Sequence, residues 1–270
     1  MINENSFFRK IPLAINLEQR LVWEGTGWAI QMMALSYEKL KIAASQVDAT
    51  SGNYPTRLAT EMFACCWSII DQCHMLRKLL ERVSSDPDGK AVKFIQKFEA
   101  VSFMRNAMDH FHQNIKNMAN KKDPIPPIFG ALSFCLVAND DLSSTDHDGT
   151  PVVKGCNVVT LTAGALTHPK HNFQTINPAG RLLELPVGGF QFMAFEHRVD
   201  LSDLMADLAS LVAHFDNVVK PDQERQLREF AKQNNLDEDK VISEHSGAFC
   251  VTLRLEFPLT EMINGIREKD

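Results

Sequence analysis

The chain has 270 residues, 44% of them hydrophobic and 23% charged, which is ordinary for a folded globular protein and enough for two modest domains or one large core. No run of about 18 uncharged apolar residues occurs, so no membrane-spanning helix is expected. The net charge of −6 argues against a protein that coats nucleic acid non-specifically, and it is uneven: residues 1–122 carry 16 Lys+Arg against 12 Asp+Glu (net +4), the remainder 12 against 22 (net −10).

The N-terminal stretch MINENSFFRK mixes acidic and basic residues and lacks a long apolar core, so it does not read as a signal peptide. The six cysteines, at 65, 66, 73, 135, 156 and 250, form no C-x-x-C pair, and most lie in apolar runs where a thiol behaves as a small hydrophobe. The expectation is a cytoplasmic protein with neither a metal nor another cofactor.

The first helix is expected from about Asn16 to Ala44, with Leu21, Trp28, Met32, Leu35 and Leu40 at helical spacing. Gly25 and Gly27 either weaken it or mark a close approach. Asp48 to Pro55 breaks the pattern. A second helix spans Thr56 to about Val83, its stripe running through Ala59, Met62, Phe63, Cys66, Ile69, Ile70, Cys73, Leu76 and Leu80. The turn at Ser85–Gly89 leads to a third helix, from about Ala91 to Asn120, with Phe94, Phe98, Val101, Met104, Met108, Phe111 and Ile115 on one face. Three prolines among residues 124–127 stop it and mark the boundary between residues 1–122 and 128–270.

Beyond the prolines the period falls to two. Strands are expected at 129–138, 152–163, 181–187, 190–196 and 248–257, with helices at 201–217 and 221–233, the first started by Asp200 or Ser202. The fold class is therefore α+β: an N-terminal helical bundle, then a mainly antiparallel sheet carrying one or two helices.

On the third helix Arg105, Asp109 at i+4 and His112 at i+7 form a polar stripe beside the apolar one. The second helix repeats the design with Trp67, Asp71, His74 and Lys78. If the two helices pack antiparallel, the stripes meet, and a buried Arg or Asp needs such a partner.

The segment Arg105-Asn106-Ala-Met-Asp-His110, late in a long helix of a small bundle, resembles the motif of HEPN-domain proteins. The resemblance spans at most the first 120 or so residues. It implies a helical bundle that dimerises, with Arg and His from both chains lining a metal-independent RNA-cleaving cleft. Carried onto this chain, the catalytic residues are Arg105, Asn106 and His110, with His112 as the alternative histidine and Asp71, His74 and Asp109 in support. The implied partners are RNA and a second copy, with no membrane and no DNA. Cleavage by 2′-hydroxyl attack needs a proton acceptor, a proton donor and a cation for the developing charge, which His and Arg supply near neutral pH.

A structural reading of the same residues stays open, in which Arg105 pairs with Asp71 or Asp109 and the histidines hydrogen-bond across helices. His110 and His112 diverge on a helix and do not chelate a metal together. The acidic loop Asp140–Asp148 and the turn His168–His171 read as solvated turns. Two functions of different class remain: a dimeric HEPN-like endoribonuclease, or a non-catalytic interaction or ligand-sensing protein on a helical dimer scaffold.

Overall fold

In the computed structural model the described residues are Ile2, 6–47, 55–83, 88–120, 127–136, 144–145, 151–152, 157–163 and 189–243. Asn16 starts the first helix, α1 (Leu17–Ser45), its side-chain oxygen accepting the Gln19 N–H at 2.9 Å. The second, α2 (Thr56–Leu80), runs back along α1. Ser36 Oγ meets Ser68 Oγ at 2.8 Å, while a Cβ on Gly25 would sit 3.1 Å from Leu79 Cδ1, so rising numbers on one helix match falling numbers on the other. Gly27 likewise gives way to Phe8, whose Cβ would lie 3.0 Å from an added methyl. Both glycines admit a neighbouring side chain.

The apolar face of α1 differs from the expected one. Val22, Trp23, Ala29, Ile30, Met33 and Leu40 are buried, whereas Leu21, Trp28 and Leu35 face outward. Apolar residues surround this helix, so spacing alone does not fix which side meets the core.

The expected third helix is three: α3 (Lys90–Lys97), α4 (Glu99–Asp109) and α5 (Phe111–Ala119). Phe98 (φ −106°, ψ 33°) and His110 (φ −97°, ψ 8°) leave helical geometry and separate the segments. The first break serves packing: α3 lies against α2 and the helix Leu201–His214, while α4 lies against α2 and a strand edge.

Four strands form an antiparallel sheet in the order β4 (Asn157–Thr162), β1 (Ala131–Leu136), β5 (Phe190–Ala194), β6 (His197–Asp200). A two-residue ladder pairs β2 (Ser144–Thr145) with β3 (Pro151–Val152). β6 was not anticipated. A tight turn at Phe195, whose φ is +55°, folds it back onto β5 and pairs Phe192 with Val199. The strands expected at 181–187 and 248–257, His168–His171, and the acidic-loop residues Asp140, Asp141, Asp146, His147 and Asp148 lie outside the described residues.

Phe192 joins the sheet to the bundle, its ring 5.4 Å from Trp67 and 6.3 Å from Phe63. Trp67 Nε1 donates to the Phe129 carbonyl at 2.8 Å, and the Phe195 N–H donates to the Pro127 carbonyl at 2.9 Å, pinning the chain as it enters β1. One hydrophobic cluster includes residues of α1, α2, the sheet and the C-terminal helices.

Asp200 caps α6 (Leu201–His214), accepting the Asp203 N–H at 2.9 Å. A π-helical turn, Phe215–Val219, leads into α7 (Lys220–Gln233), followed by α8 (Glu238–Ser243). The π turn packs Phe215 against Phe8 and Trp23. It also directs Asp216 to accept from the Phe7 N–H at 2.7 Å and from Ser6 Oγ at 2.8 Å. The architecture is α+β, with an N-terminal helical region followed by an antiparallel sheet and helices.

Candidate functional site

Because α2 packs on α4, the two polar stripes meet. Arg105 Nε lies 2.8 Å from Asp71 Oδ1, and its Nη1 pairs with Asp109 Oδ1 one turn along the same helix. One guanidinium thus bridges two carboxylates, each about half exposed, and both partners weighed for Arg105 from the sequence are engaged together.

A second, deeper contact runs parallel to it. Arg77, only 6% exposed, donates from Nε to the Ile95 carbonyl at 3.0 Å and from Nη1 to Ser102 Oγ. Ser102 Oγ also lies 3.1 Å from His74 Nδ1. Neither Arg77 nor Ser102 was singled out from the sequence. The available signal was position: Arg77 immediately follows Leu76 in a buried stripe, where a cation needs partners.

Charge and burial oppose each other here. Burial pushes the Asp71 carboxyl above the usual carboxylate range, helped by Asp109, and outweighs the opposing effect of Arg105. Burial holds His74 below the ordinary imidazole value, reinforced by Lys78, Arg77 and Arg105 and opposed by Asp109. A neutral His74 with its proton on Nε2 accepts the Ser102 hydroxyl at Nδ1, while Ser102 accepts from Arg77. That gives a directed chain from Arg77 through Ser102 to His74.

The motif residues sit at the edge of this network. Asn106 and His110 are exposed, and His110 occupies the break between α4 and α5, its Nδ1 3.3 Å from Gln113 Oε1. His112 is exposed on α5. The structure therefore joins Asp71, Arg105 and Asp109 directly, links His74 to Arg77 through Ser102, and leaves Asn106, His110 and His112 facing outward.

Comparison of the chain with protein-family models, with curated proteins and with solved structures found no match.

Among the described residues, no group of three or more His, Cys, Asp or Glu is placed to hold a metal ion, and no helix is long and apolar enough to cross a membrane. Cys65, Cys66 and Cys73 are buried free thiols, and Cys135 is buried in β1. A phosphate approaching Arg105 competes with Asp71 for Nε and with Asp109 for Nη1.

A second feature lies on α1. Leu21, Trp28, Leu35 and Ile42 are 57, 60, 50 and 59% exposed and recur every seventh residue. Seven residues fall about 20° short of two full helical turns, so the stripe winds slowly around α1 and covers roughly 32 Å along its axis. Glu24, Gln31, Glu38 and Lys39 are polar positions interspersed along this stretch of α1.

Proposed function

We propose that the chain acts as a non-catalytic interaction protein that self-associates through α1. The observation that carries this reading is the seven-residue apolar comb of Leu21, Trp28, Leu35 and Ile42 on an outward-facing helix. Four large apolar side chains exposed in a row on one helix are uncommon on a soluble monomer, and one apolar position in every seven is the spacing at which two helices interdigitate side chains along a common seam. A second copy is the natural occupant, since a twofold pairing buries the same strip on both chains. The double engagement of Arg105 supports a structural role for the α2–α4 network.

Sedimentation equilibrium at micromolar concentration tests this. The wild type is expected to be dimeric and a Trp28→Glu/Leu35→Glu variant monomeric, with unchanged circular dichroism because both positions are exposed. A monomeric wild type, or a variant that still dimerises, refutes it.

One observation favours the ribonuclease reading implied by the HEPN resemblance: Asn106, His110 and His112 are exposed beside Arg105. Its test is cleavage of total RNA in EDTA by the wild type and by a folded Arg105→Ala/His110→Ala variant. Cleavage lost in the variant supports a metal-independent nuclease, whereas intact RNA or equal cleavage counts against it.

A further inference from the structure

The first turn of α1 and the middle of α7 face each other across an open cleft of about 370 Å³, within the size range of small-molecule sites. Ile15, Leu227 and Phe230 supply apolar surface, and four side-chain amides, Asn16, Gln19, Gln223 and Gln226, supply the polar groups. No charged side chain is among the lining residues.

Asn16 is engaged through both its amide atoms with Gln19, whereas the three glutamine amides have atoms without a protein partner among the described residues. Gln19 Oε1 accepts from Asn16 Nδ2 at 2.8 Å, while its NH₂ has no protein partner among the described residues. Gln226 Nε2 donates to Asp222 Oδ2 at 2.9 Å, and its Oε1 has no protein partner among the described residues. Gln223 Oε1 is shielded from solvent and has no hydrogen-bond partner among the described residues. A shielded acceptor without a donor is a standing cost. That cost is removed when a bound molecule presents an N–H and the Gln223 amide turns into the cleft to meet it.

We propose that this cleft binds an uncharged, flat heterocycle of the nucleobase type, taken up as a free nucleoside. Gln223 accepts from a ring or exocyclic N–H, and Gln19 and Gln226 serve the neighbouring acceptor and donor. Glutamine amides suit such edges because they present a donor and an acceptor side by side. Phe230, about half exposed at the mouth, offers a face for stacking. With no cation in the lining, an added phosphate is not rewarded. All of these residues belong to one chain, so the site does not depend on self-association.

Isothermal titration of the full chain with adenosine and with adenosine monophosphate tests the assignment. The proteins compared are wild type, Gln223→Leu and Phe230→Ala, each checked by thermal unfolding. Adenosine is expected to bind with a Kd of about 1 mM or tighter, and Gln223→Leu to weaken it roughly tenfold or more. Phe230→Ala, a change at an exposed position that keeps the fold, is expected to weaken it several-fold, and the monophosphate to bind no better than adenosine. Absence of adenosine binding, unchanged affinity in both variants, or much tighter binding of the monophosphate overturns the proposal.

Discussion

Replacing Arg77 by Met keeps most of the apolar stem and removes every donor, which makes it the sharpest test of the α2–α4 network. The lost contacts are Nε to the Ile95 carbonyl and Nη1 to Ser102 Oγ. A hydrogen bond from a charged donor is worth about 1.5–3 kcal/mol, so the gross loss is roughly 3–6 kcal/mol. Against it stands the desolvation of a guanidinium only 6% exposed, which methionine does not incur. Ser102 keeps His74 as a partner, so the unrepaired damage is chiefly the Ile95 carbonyl. A net destabilisation of about 2 kcal/mol follows, and at roughly 2–4 °C per kcal/mol for a chain of this size the Tm falls by about 4–8 °C.

The same change acts on His74. Arg77 is one of the cations holding its pKa below 6.5, so the histidine should titrate nearer its ordinary value in the variant. A lowered folded-state value means that the unfolded chain takes up the proton first. The wild type therefore loses stability as pH falls from about 6.5 toward the folded value, and the variant loses less there, so the gap between them narrows in acid. Thermal unfolding at several pH values, with His74 followed by NMR, reads both effects. An unchanged Tm at pH 7, or a His74 pKa that falls further, refutes the reasoning.

Asp71→Asn should change stability at pH 7 by no more than about 1 kcal/mol, because the half-exposed ion pair is weak and the carboxyl already bears a burial cost. Its raised folded value favours the native state below 3.8, and that contribution is lost as pH rises through the folded value, so the variant should compare worst with the wild type in acid; the reverse trend in urea midpoints contradicts the assignment. Gly130→Ala drives a Cβ into the Phe192 ring at a φ of +126°, and a loss of about 3 kcal/mol or more is expected in denaturant titrations; a loss under about 1 kcal/mol would show that Phe192 moves aside freely. Burial pushes the Cys73 thiol up to about 12, so it should resist a thiol reagent at pH 8 until the chain unfolds, and rapid native labelling at this cysteine, mapped by mass spectrometry, counts against its burial.

Much of the local structure was legible in the sequence, because short-range chemistry decides it. Asn16 caps α1, α1 ends at Ser45 and α2 begins at Thr56 as expected, Asp200 caps α6, and the cores of β1, β4 and β5 fall within expected strands. The partners of Arg105 were legible as candidates, since Asp109 lies one turn along the same helix and Asp71 lies on the polar stripe of α2. Tertiary packing decided the rest. Phe98 and His110 carry no breaker chemistry, and the break at Phe98 lets α3 reach α6 while α4 reaches β6. Arg77 became the centre of the buried contact only because α3 and α4 bring the Ile95 carbonyl and Ser102 to it. On α1 the pattern showed apolar residues at helical spacing but not which of them face out. A helix that is apolar on several sides has no unique inward phase, and only the arrival of α2 and the N-terminal Phe7 and Phe8 chose one, leaving Leu21, Trp28, Leu35 and Ile42 outside.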